Sequence, residues 1–190
     1  MGAMNPAEVF RQITNALNLA GISYMLTGSF ASNLYGTGRA TQDIDLVISA
    51  TPDQMAPFLN SLPKSDYYFD LDAAKDAARR RSMFNVLDMS SGWKIDLIFQ
   101  KHGPYHQQSF QRRIPAEVEG VPVVAATAED LIISKLEWAR MGESSRQIQD
   151  VASVLKVQAK RLDLPYIEKW IAELGLASEW AHARQLAGLD

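Results

Sequence analysis

The chain has 190 residues, 47% of them apolar and 22% charged, with a formal net charge of -3 at pH 7. That is enough for a buried core in one domain, or one domain with a small appendage, and too acidic for a generally basic nucleic-acid binder. Zero cysteines exclude disulfides, thiolate catalysis and thiolate zinc sites, and three histidines leave little for imidazole metal sites.

No apolar run approaches the roughly 18 residues of a transmembrane span, and the N-terminus carries no secretory apolar region. A cytoplasmic protein without membrane engagement is expected, with Met1–Ala3 ahead of Met4 read as a cloning remnant.

Asn5-Pro6-Ala7-Glu8 has the cap, N1 proline and N3 glutamate of a helix start, and apolar spacing continues to about Ala20, where Gly21 ends it. Ile22–Leu26 reads as a strand. Ser29 is placed to cap a short helix, Phe30–Tyr35, closed by Gly36. Asp43–Ile48 is the next strand, and Thr51-Pro52-Asp53-Gln54 opens a helix to about Leu62. A short polar helix at Asp72–Arg80 precedes two runs, Met83–Asp88 and Trp93–Gln100, that flank "MSSG" and predict a hairpin. "KHGPYHQQ" reads as a loop with solvated histidines, because Gly103-Pro104 separates His102 from His106. Val121–Ala125 is a short β-branched run.

From Thr127 the pattern turns helical: Thr127–Met141, Ser144–Gln158, and Pro165 to about Leu186, with Trp170, Leu174 and Trp180 as core. The expected class is α/β (α+β mixed sheet), with residues 4–126 as core and 127–190 as a helical C-terminal region packed on it.

Residues two apart on a strand share a face, so Asp43 and Asp45 project together, as do Lys94 and Asp96 in "WKIDLIF". If those strands are neighbours, three carboxylates meet on one sheet face. Such a set needs a basic side chain, a cap or a metal ion to hold it. Oxygen-only ligands suit Mg²⁺ or Mn²⁺. Two such ions about 4 Å apart polarise a phosphoryl group and activate an attacking hydroxyl. Gly28-Ser29 ends the first strand, where a glycine lets the backbone approach an anion and the hydroxyl adds a donor. Alone, each signal has an ordinary reading as a serine cap or a turn aspartate. Together they are specific, because Asp-Ile-Asp-Leu-Val-Ile is not a turn sequence.

Gly-Ser, thirteen residues, Asp-x-Asp in an apolar strand and a later strand aspartate resemble the signature of the DNA polymerase beta-type nucleotidyltransferase superfamily. The resemblance spans about Ile22 to Gln100. It implies a mixed sheet with flanking helices, a nucleoside triphosphate donor and two divalent ions. Asp43, Asp45 and Asp96 would be the catalytic metal ligands, and Gly28 and Ser29 the phosphate contacts. Arg39, between Gly38 and the first aspartate, is placed to reach a phosphate or to be a surface charge.

On the helix opened by "TAEDL", Lys135 has Leu131, Ile132, Trp138 and Ala139 as neighbours, so its ammonium either snorkels to the rim or points into a cleft. Asp150 has Arg146 at i-4 as a plain surface partner. About Val121–Leu155 resembles the AbiEii and MenT group of nucleotidyltransferase-like toxins. That resemblance implies that Lys135 contacts donor phosphates and that Asp150 positions or deprotonates the acceptor. It also implies an RNA or protein acceptor and an antitoxin partner. Arg79–Arg81 reads as a solvated face, with an RNA contact as the alternative.

The leading expectation is a metal-dependent transferase acting on a tRNA end, a protein hydroxyl or a small molecule. The alternative is a non-catalytic nucleotide- or protein-binding module on the same fold.

Overall fold

The computed structural model describes residues 5–38, 40–142 and 144–189. The described residues of 1–30 and 40–125 form one compact unit, and those of 31–39 and 126–190 form a second.

The first unit is built on a seven-stranded mixed sheet, ordered β3-β4-β5-β2-β1-β7-β6. Its strands are β1 (Ser23–Thr27), β2 (Asp43–Ser49), β3 (Tyr67–Tyr68), β4 (Met83–Asp88), β5 (Lys94–Phe99), β6 (Ile114–Val118) and β7 (Val121–Ala125). The pairs β2–β5 and β1–β7 are parallel and the other neighbours antiparallel. The adjacency of β2 and β5, on which the carboxylate face depends, is therefore present. The mixed α/β class follows directly.

Alternation decides which face is buried. Ile44, Leu46 and Ile48 of β2 and Ile95, Leu97 and Phe99 of β5 are buried, at 2% exposure or less. Helices α1 (Pro6–Leu19), α3 (Pro52–Asn60) and α4 (Leu71–Arg80) supply Phe10, Ile13, Leu17, Met55, Phe58 and Ala77 to the same core. Phe10 meets Phe30 edge-on at 4.9 Å, and Phe84 lies against Phe99 at 6.2 Å. Two start signals act as read: Asn5 accepts from the Glu8 N–H, and Thr51 and Gln54 form a capping box; α4 is capped by Asp70, which the sequence reading did not single out. In the β4–β5 turn the buried Asp88 carboxylate accepts from the Ser90 N–H and from the Ser90 and Ser91 hydroxyls, fixing the hairpin.

Several expectations change. Helix α2 runs Gly28–Leu34, so Ser29 lies inside its first turn instead of capping it. The histidine loop is a helix, α5 (Pro104–Gln111), because Pro104 sits at N1 where a missing N–H costs nothing. His106 is then half-buried beside Tyr105, with ring centroids 5.2 Å apart. β6 and β3 were not expected, β6 because "IPAEV" lacks a clean alternation. Arg79–Arg81 stays exposed: Arg80 pairs with Asp76 at 3.0 Å, and Arg81 donates to the Gln100 carbonyl.

The second unit contains α6 (Ala128–Gly142), α7 (Ser145–Gln158), α8 (Leu164–Leu174) and α9 (Ala177–Ala187). The expected single helix from Pro165 to Leu186 is two, because Gly175 takes φ +67° as the left-handed cap of α8. Trp170 and Trp180 are buried. Residues 31–38 belong here through the Tyr35 hydroxyl, which donates to the Ala126 carbonyl at 2.6 Å, and Gln158, which donates to the Tyr35 carbonyl at 3.3 Å. No helix among the described residues is long and apolar enough to cross a membrane.

Candidate active site

Sheet register assembles the site. Asn85 of β4 pairs with Asp96 of β5, Asp96 with Asp45 of β2, and Asp45 with Thr27 of β1. One row thus crosses four strands and ends beside Gly28. One step of the pleat away, Leu87 pairs with Lys94 and Lys94 with Asp43. Asp43, Asp45 and Asp96 therefore share the face opposite Ile44, Leu46, Ile95 and Leu97.

Asp96 is 6% exposed, and both of its oxygens are engaged. Asn85 Nδ2 donates to Oδ1, and Lys94 Nζ lies 2.9 Å from Oδ2. The same ammonium is 3.6 Å from Asp43 Oδ1. The hydrogen bond to Asp96 raises the Lys94 pKa above the ordinary lysine value; partial burial opposes it, and the charges of Asp96, Asp43 and Asp45 add to it. A basic side chain is thus one counter-charge of the carboxylates. Sequence reasoning put Lys94 on this face but gave it no part, and it missed Asn85. The signal was available: alternation through the "MSSG" hairpin aims both residues at Asp96.

The donor set fits a hard divalent cation in its chemistry, since it offers carboxylate oxygens alone, two of them on directly opposed residues. As the side chains stand, no three His, Asp or Glu among the described residues converge closely enough to hold one ion. The Lys94 ammonium bridges Asp43 and Asp96 instead.

Gly28 packs against one of these carboxylates, Asp45. It has φ +67°, and a Cβ built there would lie 1.9 Å from Asp45 Oδ2. From the sequence, the reason for this glycine is the approach of a phosphate. The structure supplies another, because the bare backbone makes room for Asp45. Ser29 follows in α2, and Arg39 lies outside the described residues.

Beside this row, a groove of about 450 Å³ is lined by Tyr68, Asp70, Asp76, Met83, Asn85 and Leu87, among others. Asn85 belongs to both features, so the groove opens next to Asp96. Tyr68, Met83 and Leu87 are exposed apolar surface.

In the second unit, Lys135 and Asp150 pair with each other. Their Nζ–Oδ2 distance is 2.8 Å, and Gln147 Oε1 accepts from the same ammonium at 3.1 Å. At 3% exposure Lys135 does not snorkel, and it pairs with Asp150, a partner that spacing along one helix did not suggest. Nearby, Asp130 accepts from the Tyr166 hydroxyl at 2.7 Å and from the Thr127 hydroxyl at 2.8 Å. The structure therefore gathers Gly28, Ser29, Asp43, Asp45 and Asp96 in one unit and joins Lys135 to Asp150 in the other.

No family model and no curated protein matches the chain. Solved structures do. The solution structure of the antibiotic-resistance factor ANT(2'')-Ia is 16% identical, with 93% of this chain and 94% of that one covered and a TM-score of 0.58. An antigenic nucleotidyltransferase-like protein from Paracoccidioides brasiliensis is also 16% identical, over 92% and 91% of the two chains, with a TM-score of 0.50. At that identity the likeness is one of fold.

Proposed function

We propose that this chain, which has a fold seen in nucleotidyltransferase-like proteins, moves a nucleoside monophosphate from a nucleoside triphosphate to an acceptor hydroxyl. The observation that carries the reading is the in-register row Asn85–Asp96–Asp45 with Asp43 on the same sheet face. Carboxylates this close cost stability, and a site that handles polyphosphate through divalent ions gives them a use.

In the transfer, the acceptor oxygen bonds to the α-phosphorus, the bond from that phosphorus to the bridging oxygen breaks, and pyrophosphate departs. Asp43, Asp45 and Asp96 would hold Mg²⁺ or Mn²⁺, two ions in all, which supply charge neutralisation at the phosphate oxygens. Gly28 and Ser29 contribute backbone N–H and hydroxyl donors to the phosphates. Asn85 keeps the Asp96 carboxylate oriented from the side of Oδ1. The groove next to Asp96 receives the acceptor in this reading. On the tail's resemblance, Lys135 would be a phosphate contact and Asp150 an acceptor-positioning base, roles that require their mutual ion pair to open.

The tail's resemblance adds an RNA or protein acceptor, and an antitoxin partner, to this proposal. The test is incubation with each labelled nucleoside triphosphate and Mg²⁺, against total RNA, lysate protein and small hydroxylated cations, with pyrophosphate release as readout. Label transfer that disappears in Asp45→Asn supports the reading. Triphosphate binding without pyrophosphate release from any acceptor supports the binding-module alternative.

A further inference from the structure

We propose that Lys94 is a resident cation of the carboxylate face, which a divalent ion must displace, so that Lys94 sets the ion affinity of the free protein. The inference deepens the metal-dependent reading above and rests on it.

Three facts carry it. Lys94 Nζ sits 2.9 Å from Asp96 Oδ2 and 3.6 Å from Asp43 Oδ1, bridging two of the three carboxylates. Asp96 is nearly buried and its other oxygen is already taken by Asn85, so Oδ2 is the atom it has left to offer an ion. Finally, no three acidic side chains among the described residues converge as they stand. A divalent ion at Asp96 Oδ2 and Asp43 would share those oxygens with the ammonium at contact distance, and like charges that close repel strongly in a partly desolvated setting.

Release is sterically open. The Lys94 side chain is 37% exposed and that of Asp43 54%, so the flexible four-carbon stem can swing its ammonium into water without disturbing the core. Asn85 keeps hold of Asp96 throughout. Without an ion, Lys94 holds the cluster together; with one, it withdraws. The lysine is thus a positioning residue that acts through Asp43 and Asp96.

The test uses the full chain without nucleotide. Mn²⁺ binding is measured by calorimetry and by electron paramagnetic resonance for wild type, Lys94→Met, Lys94→Gln and Lys94→Arg, with thermal unfolding in the presence and absence of Mn²⁺. Lys94→Gln retains a hydrogen-bond donor for Asp96 without the charge, so it serves if the methionine variant folds poorly. Lys94→Met and Lys94→Gln are expected to bind Mn²⁺ at least tenfold tighter than wild type, to melt lower without it and to gain more from it. Lys94→Arg keeps the charge and the wild-type affinity. Equal or weaker binding in the neutral variants overturns the displacement of Lys94 and leaves the metal-dependent reading standing. Absence of Mn²⁺ binding in all four proteins overturns both.

Discussion

Replacing Gly28 with alanine puts a methyl carbon 1.9 Å from Oδ2, 2.5 Å from Cγ and 2.8 Å from Cβ of Asp45. The carboxylate can rotate away from the new atom. The Asp45 Cβ cannot, because it is fixed to β2, so the end of β1 or β2 itself must shift. Overpacking of this kind costs about 1–3 kcal/mol. An L side chain held at φ +67° adds about 1–2 kcal/mol. Gly28→Ala should therefore lose about 2–5 kcal/mol, and each of those lowers the melting temperature by about 2–4 °C in a chain of this size. In an Asp45→Gly background the steric part vanishes and only the backbone part, about 1–2 kcal/mol, remains. Urea unfolding of wild type, both single variants and the double variant reads the coupling directly. Equal losses from Gly28→Ala in the two backgrounds would refute the packing of Gly28 on Asp45. The sequence alone suggests that a side chain here weakens triphosphate binding far more than folding; contact with Asp45 puts a stability loss into the same substitution.

Lys135→Met removes the ammonium paired with the buried Asp150 carboxylate and should cost about 3–5 kcal/mol in urea unfolding, most of it recovered by adding Asp150→Leu. Full stability in the single variant would refute the pair. Asp45→Asn removes a like charge directly opposite Asp96, so pyrophosphate release with Mg²⁺ should be lost while melting holds or rises slightly. Near wild-type transfer by this variant would sink the carboxylate assignment. Burial first, then the Lys101 charge, lowers the His106 pKa from 6.5 to about 4. From pH 6.5 downward the unfolded chain takes up a proton that the folded one refuses, so this contribution is complete above pH 6.5 and drains away as pH falls toward 4. The loss should reach about 2 kcal/mol after allowance for partial exposure, and His106→Gln should flatten it in denaturant titrations at stepped pH. A variant with the wild-type slope would show that another group is responsible.

What the sequence disclosed tracks how local the cause is. β2, β4 and β5 were readable because their alternation is strong, and the same alternation paired Asp43 with Asp45 on one strand face; that Asp96 joins them depended on the adjacency of β2 and β5. Helix starts were readable because caps are short-range chemistry. β6 was not: Pro115 and Glu117 blur its alternation, and it exists as one arm of a hairpin with β7 across the two-residue Glu119-Gly120 turn, a local signal that went unused. Gly103-Pro104 looked like a break because the same dipeptide ends one element and begins another. Lys135 looked amphipathic on its own helix, and the carboxylate that makes it a buried ion-pair member comes from the next helix. Gly28 was noticed for the right position and an incomplete reason, since Asp45 arrives from a neighbouring strand.

The attachment of residues 31–38 to the helical unit limits how this protein can be recombined. The chain passes from one unit to the other and back before returning for good, so a cut near residue 126 does not separate two self-sufficient pieces. A graft of the last four helices onto another scaffold would leave Tyr35 behind, deprive Gln158 of the carbonyl it donates to, and uncover the Val157 methyls that lie where a Gly36 side chain would go. Any such transplant has to carry the short turn from inside the signature region with it. Residues 31–38 are therefore inherited along with the tail, and shuffling one without the other should yield chains that fold poorly whatever their chemistry.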